Sequence, residues 1–265
     1  MRFCSLGSGS GGNAPLVEAG HGATTRRLLI DCGFSLRELE SRLTRIGLSG
    51  DRLHAVFITH EHGDHIGCAI ALARRHGLPI WMSRGTWRAI GTPELPELIR
   101  FARDGQTIDL GELELMPFTV AHDAQEPLQL RCSDGAHHLG VLTDVGSISE
   151  HLLGHLQQLD ALLLECNHDR AMLAASRYPA SLKARIGGRL RHLSNDTAAQ
   201  ILGHCRHPRL RHLVAAHLSE RNNSPALARA ALAPVWGSTT ENIVVADQRA
   251  GFGWLDLART RDPRA

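Results

Sequence analysis

The segment Thr59-His60-Glu61-His62-Gly63-Asp64-His65 follows directly on a short apolar run at 55–58. The run has the length and content of a buried strand. The residues after the segment, 66–76, have helical spacing and stop at Gly77 and Pro79. A strand end thus delivers four ligand-type side chains into one loop, which requires an α/β fold with a polar site at a sheet edge. The i, i+2 spacing lets His60 and His62 converge on one cation, while Asp64 and His65 sit at the mouth of the helix and can reach a second. Zinc-type ions take imidazole nitrogen and carboxylate oxygen, and paired hydrolytic ions lie about 3.5–4 Å apart.

Further ligands are expected at other strand ends, and candidates occur in order. His122 ends an apolar strand at 113–120, Asp144 ends one at 138–143, and His217 ends one at 210–216. Each alone reads as a cap or turn residue. Together they complete a site that the first motif already announces.

The rest of the chain reads as one mixed α/β domain over 1–258, with a polar tail at 259–265. Strands are expected at 3–6, 16–19, 27–31, 55–59, 80–82, 106–110, 113–120, 128–132, 138–143, 161–165, 210–216, 243–246 and 251–256. Ser133-Asp134-Gly135 marks a hairpin turn. Helices are expected at 36–46, 66–76, 149–158, 180–187, 196–205 and 225–233, with a helical turn at 86–90. Ser194 or Asn195 caps the helix at 196. The chain has 265 residues, of which 43% are hydrophobic and 21% charged, an ordinary globular balance. No apolar run approaches the roughly 18 residues of a membrane span, and residues 1–12 lack a signal-peptide pattern, so a cytoplasmic protein is expected. The net charge of +2 argues against a globally basic nucleic-acid binder. The 17 histidines invite metal ligation, whereas the 6 scattered cysteines fit neither a disulfide framework nor a zinc finger. Lys183 is the sole lysine.

The H-x-H-x-D-H motif followed by a His, an Asp and a His at strand ends resembles the metallo-β-lactamase fold hydrolases over nearly the full chain. That resemblance implies a four-layer αβ/βα sandwich with two divalent cations on one rim. Carried over, His60, His62 and His122 hold one metal, Asp64, His65 and His217 hold the other, and Asp144 bridges them together with a water or hydroxide. The spacing of Asp144 and His217 leaves no room for the inserted domain of β-CASP nucleases. No long Gly/Pro-rich arm of the ribonuclease Z kind is present, and His62 stands where flavodiiron proteins have Glu. Ser8-Gly9-Ser10-Gly11-Gly12-Asn13, Leu29-Ile30-Asp31-Cys32-Gly33, Arg191-His192-Leu193-Ser194-Asn195 and His217-Leu218-Ser219-Glu220-Arg221-Asn222-Asn223 resemble the WalJ/YycJ-type exonuclease branch. Gly11 and Leu190-Arg191 depart from that branch's pattern.

The branch implies metal-assisted hydrolysis of a phosphodiester, most simply in DNA digested from the 5′ end. Asp64 and His192 are the expected catalytic residues, His192 contacting the scissile phosphate or protonating the leaving oxygen. Ser10, Asn13, Ser194 and Asn195 are expected to contact substrate through short polar side chains and free N–H groups. His168 and Asp169 follow another strand end and are candidates for a supporting role. The competing reading is an acyl hydrolase of the glyoxalase II or lactonase type, and a degenerate scaffold would require lost ligands. Zinc, manganese and iron all suit such a donor set.

Overall fold

The computed structural model describes residues 1–237 and 239–258. The tail expected at 259–265 lies outside them. In chain order, one sheet takes β1 (Arg2–Ser5), β2 (Pro15–His21), β3 (Thr24–Ile30), β4 (Ala55–Phe57), β5 (Ile80–Met82) and β6 (Ile99–Phe101). A second takes β7 (Ile108–Asp109), β8 (Glu114–Thr119), β9 (Leu128–Ser133), β10 (His138–Leu142), β11 (Ala161–Glu165), β12 (His212–Ala216) and β13 (Val244–Val245), and β14 (Phe252–Asp256) returns to the first. Among the described residues the strand orders are β14-β1-β2-β3-β4-β5-β6 and β13-β12-β11-β10-β9-β8-β7.

Side-chain alternation along the strands builds three cores, and three cores separate four layers. Leu28, Ile30 and Phe57 of one sheet meet Leu130, Val141 and Leu163 of the other between the sheets. Leu29 and Val56 face the opposite way, against Leu39 and Leu43 of α1 (Leu36–Arg45) and Leu72 of α3 (Ala69–His76). Leu162 and Leu164 face outward against Leu152 of α5 (Glu150–His155), Ile201 of α8 (Asn195–Cys205) and Leu232 of α9 (Pro225–Trp236). The four-layer αβ/βα arrangement expected of the chain is therefore what it adopts, as a single domain.

Strand direction decides where chemistry can gather. β3 and β4 are parallel, and so are β10, β11 and β12. β8 and β10 are each antiparallel to β9 and so share a sense. The C-terminal ends of these strands consequently fall on one rim. Asp31, Asp144 and His217 end their strands with φ of 60°, 52° and 54°, a left-handed turn that Asp and His tolerate better than most residues.

Local differences from the sequence reading have local causes. The helix expected at 66–76 breaks into α2 (Gly63–Ile66) and α3, because Gly67 has φ 30° and lies against the Cys32 carbonyl, 2.2 Å from where its Cβ would sit. The helical turn expected at 86–90 forms α4 (Arg84–Ala89), whereas the short edge strand β6 and α6 (Arg170–Ala175) were not expected. α6 is capped by Asp169, whose side chain accepts from the Met172 N–H. All six cysteines are buried and free.

Candidate metal centre

The loop after β4 carries His60, His62, Asp64 and His65, and the ends of β8, β10 and β12 bring His122, Asp144 and His217 to it. All seven sequence-predicted ligands meet in one cluster. On one side, His62 Nδ1 lies 3.0 Å from His60 Nε2 and 3.3 Å from His122 Nε2. A tetrahedral ion with bonds of about 2.0–2.1 Å holds its ligand atoms about 3.3 Å apart, so these three nitrogens have the spacing of a zinc-type set. Their far sides are anchored. His60 Nδ1 lies 3.0 Å from Thr59 Oγ1, and His122 Nδ1 donates to the Arg191 carbonyl at 2.9 Å. Burial, reinforced by neighbouring imidazoles, holds His60 well below the usual histidine range, and burial lowers His122 as well. Both rings are thus neutral at pH 7, with lone pairs turned inward.

The other side is richer in carboxylates. Asp64 Oδ2 is 3.5 Å from both His65 Nε2 and His217 Nε2. Asp144 stands between the halves, with Oδ2 2.8 Å from His65 Nε2 and Oδ1 4.0 Å from His122 Nε2. Burial alone would lower His217, but Asp144, Asp64 and Glu165 push it up to about 10. Burial likewise opposes ionisation of Asp144, yet His217 and His65 hold it well below the carboxylate range. This half demands positive charge, which imidazolium supplies here and a divalent cation supplies better. Asp144 Oδ2 and His217 Nε2 are buried, and the groups nearest them, His65 Nε2 at 2.8 Å and Asp64 Oδ2 at 3.5 Å, are themselves candidate ligands, so these donor atoms face one another with no other protein group to satisfy them. The residues fit divalent cations on donor type, spacing and charge.

Residues 26–217 match the beta-lactamase superfamily domain. Over 239 residues the chain is 33% identical to exodeoxyribonuclease YycJ of Bacillus anthracis, covering 89% of each protein. The chain belongs to the WalJ/YycJ branch of the metallo-β-lactamase fold. Exodeoxyribonuclease WalJ of Streptococcus pneumoniae is 32% identical over 233 residues, 86% of this chain and 85% of that protein. The crystal structure of YhfI from Bacillus subtilis, 18% identical, shares the fold with a TM-score of 0.71 over 96% of this chain and 98% of that one. Membership of this family makes the chain a metal-dependent hydrolase.

Two carboxylates of this WalJ/YycJ-type site were given no role from sequence, Asp31 being quoted only within the Leu29–Gly33 motif. Asp31, at the end of β3, accepts from Thr59 N–H at 2.8 Å and pairs with His65 Nδ1 at 2.7 Å. Glu165, at the end of β11, is fully buried and lies 2.7 Å from His192 Nδ1 and 3.3 Å from His217 Nδ1. Carboxylates behind metal-binding imidazoles fix the ring and its tautomer. Glu165 has a faint sequence signal, a lone acid closing an otherwise apolar strand, and Asp31 follows the short apolar run Leu28-Leu29-Ile30.

The expected substrate residues divide. Ser194 caps α8 and accepts from Thr197 N–H, and Ser10 is exposed at the rim. Asn13 and Asn195 turn inward. Asn13 accepts from Gly9 N–H and its Nδ2 lies 3.2 Å from His65 Nε2, while both ends of the Asn195 amide pair with Asn223. These two brace loops. Ser8, passed over in favour of Ser10, accepts from the His217 N–H at 2.9 Å.

Stripping divalent ions with a chelator is expected to lower the melting temperature by about 5–10 °C, since ligand at 100 times its Kd stabilises by about 2.7 kcal/mol and a chain this size shifts about 2–4 °C per kcal/mol. Scanning calorimetry before and after chelation measures it, and an unchanged transition would count against resident cations.

Proposed function

We propose that the chain is a two-metal phosphodiesterase that digests DNA stepwise from the 5′ end. His60, His62 and His122 hold one cation, Asp64, His65 and His217 the other, and Asp144 lies between them. The observation that carries the reading is the His192–Glu165 pair set against the ligand cluster, with His192 Nδ1 also 3.3 Å from Asp144 Oδ1. The relatives named exodeoxyribonuclease support the same substrate class.

Bound cations would supply Lewis-acid polarisation of the phosphate and lower the pKa of an attacking water from 15.7 toward about 7. The protein's own groups do the rest. Glu165 accepts the Nδ1 proton of His192 and, with Asp144, raises its affinity for a second proton at Nε2 against the opposing effect of burial. That proton can hydrogen-bond a non-bridging phosphate oxygen or pass to the leaving oxygen. Asp64 orients the attacking water and accepts its proton. A thioesterase expels a thiolate, which leaves without a proton far more readily than a nucleotide's alkoxide, so the pair has less to do in that alternative.

The test is digestion of end-labelled single-stranded and duplex DNA and RNA by protein reconstituted with zinc, manganese or iron. Stepwise loss of nucleotides from the 5′ end is expected, reduced at least about 100-fold in Asp64→Ala. No cleavage of any nucleic acid by chains carrying two metals would sink the proposal and turn attention to thioesters and lactones.

A further inference from the structure

A pocket of about 590 Å³ opens beside the ligand cluster and shares His192 with it. Its other walls bring Ser194 and Thr197 from the first turn of α8, Arg170 from α6, and Lys183 from α7 (Ala180–Ile186). No carboxylate lines it. Two full cations face it, and one is the chain's sole lysine.

Arg170 is exposed and Lys183 half-buried, but contacts to the protein orient both. Arg170 Nε donates to Ser194 Oγ at 3.1 Å and Nη2 to Thr197 Oγ1 at 3.3 Å, with Asp196 3.4 Å away on the solvent side. These contacts draw the guanidinium onto the start of α8, whose macrodipole already favours an anion there. Lys183 Nζ donates to the Ala174 carbonyl, which engages one of its three N–H groups. A separate observation points to a ligand. His168 also lines the pocket, is only 3% exposed, and has a buried Nδ1 with no partner among the described residues. Leaving such an atom unpaired is costly, and a bound acceptor or hydroxyl would satisfy it.

We propose that this pocket seats the phosphate that adjoins the scissile one along the strand, held by Arg170, Lys183 and the first turn of α8. The inference rests on the phosphodiesterase reading above and names its missing subsite. The shared wall at His192 places the two phosphates side by side. For removal of one nucleotide at a time from a 5′ end, the adjoining group is the terminal 5′-phosphate. An internal phosphodiester offers the same anionic oxygens, and the two sources are separable.

The sole lysine makes the site readable without turnover. Metal-loaded full-length protein is lightly acetylated in the presence of an oligodeoxynucleotide whose first linkage is a phosphorothioate, carrying either a 5′-phosphate or a 5′-hydroxyl. Peptide mass spectrometry compares Lys183 acetylation with and without each strand, normalised to a lysine-containing peptide added to the same mixture. Strong protection by the phosphorylated strand and weak protection by the hydroxyl strand assign the pocket to a terminal phosphate. Equal protection by both assigns it to an internal one. If neither protects Lys183 while unmodified versions of both strands are digested, the pocket assignment is overturned and the phosphodiesterase reading stands. If neither strand is digested, that reading fails and the subsite falls with it. Lys183→Gln and Arg170→Gln should each raise KM for the phosphorylated strand about 10-fold. Each should also reduce the slope of log affinity against log salt by about 1. A lysine that merely ties α7 to α6 would leave that slope unmoved.

Discussion

Gly33→Ala is expected to cut hydrolysis at least about 100-fold and to lower the melting temperature by about 2–12 °C. A Cβ on Gly33 would lie 1.8 Å from the Asp64 carbonyl oxygen, 2.3 Å from its carbon and 2.8 Å from the Asn13 nitrogen. These are backbone atoms and have no rotamer to yield with. The same atoms are stitched together, since Asn13 N–H donates to Asp64 at 2.9 Å, Gly33 N–H to Asn13 at 3.1 Å, and Cys32 N–H to His65 at 2.7 Å. An alanine must therefore push the Asp64–His65 segment away from the loop that supports it. Overpacking of this kind costs about 1–3 kcal/mol, and a ligand displaced by about 1 Å costs about 100-fold in rate. Gly154→Ala is the contrasting case. Its Cβ would meet nothing within 4 Å in α5, so a gain of about 0.5–1 kcal/mol is expected from the stiffer helix. Calorimetry and digestion kinetics on both variants test the account. A Gly33→Ala protein with wild-type transition and rate would show that the three loops do not meet as closely as described.

That meeting of loops marks the boundary of what sequence could reveal. Apolar strands running into His, Asp or His are visible because residue type changes abruptly where a strand leaves the core, and this is why the seven residues that cluster at the rim could be named as candidates. The residues behind them were not visible. Asp31 and Glu165 each close a strand as a single acid, and only the three-dimensional rim shows that one faces His65 and the other His192 and His217. Glycine and asparagine loops read as phosphate contacts, but periodicity says nothing about which way a loop side chain turns. Asn13 and Asn195 turn inward, Asn13 closing its own loop on Gly9 and reaching Asp64 and His65, and Asn195 pairing with Asn223. The helix expected at 66–76 failed at Gly67 for the same reason, a close approach by the Cys32 carbonyl from a segment distant in sequence. Local pattern carries the layers and the ligands, whereas contacts between loops carry the orientation of the site.

Glu165→Gln, nearly identical in shape, is expected to weaken metal binding or activity by about 10–100-fold. The reason lies in donor counting. Glu165 Oε2 accepts from Val145 N–H at 2.8 Å and Leu193 N–H at 3.2 Å, while Oε1 faces His192 Nδ1 at 2.7 Å and His217 Nδ1 at 3.3 Å. A carboxylate can accept from all four. An amide has one acceptor oxygen, and its NH2 must then oppose either the two backbone N–H groups or the two imidazoles. A buried mismatch of this sort costs about 1–3 kcal/mol, and the structure relieves it by turning one imidazole. Whichever ring turns, catalysis suffers, because His192 loses the partner that keeps Nδ1 protonated or His217 loses the contact that aims Nε2 at Asp64. The loss should also be lopsided. The cation position proposed for Asp64, His65 and His217 would lean on Glu165, whereas His60 and His122 rest on Thr59 and Arg191 instead. Metal titration by calorimetry should accordingly show one weakened and one preserved site, a split that general destabilisation would not produce. Two equally tight sites with full digestion would remove Glu165 from the positioning role assigned to it.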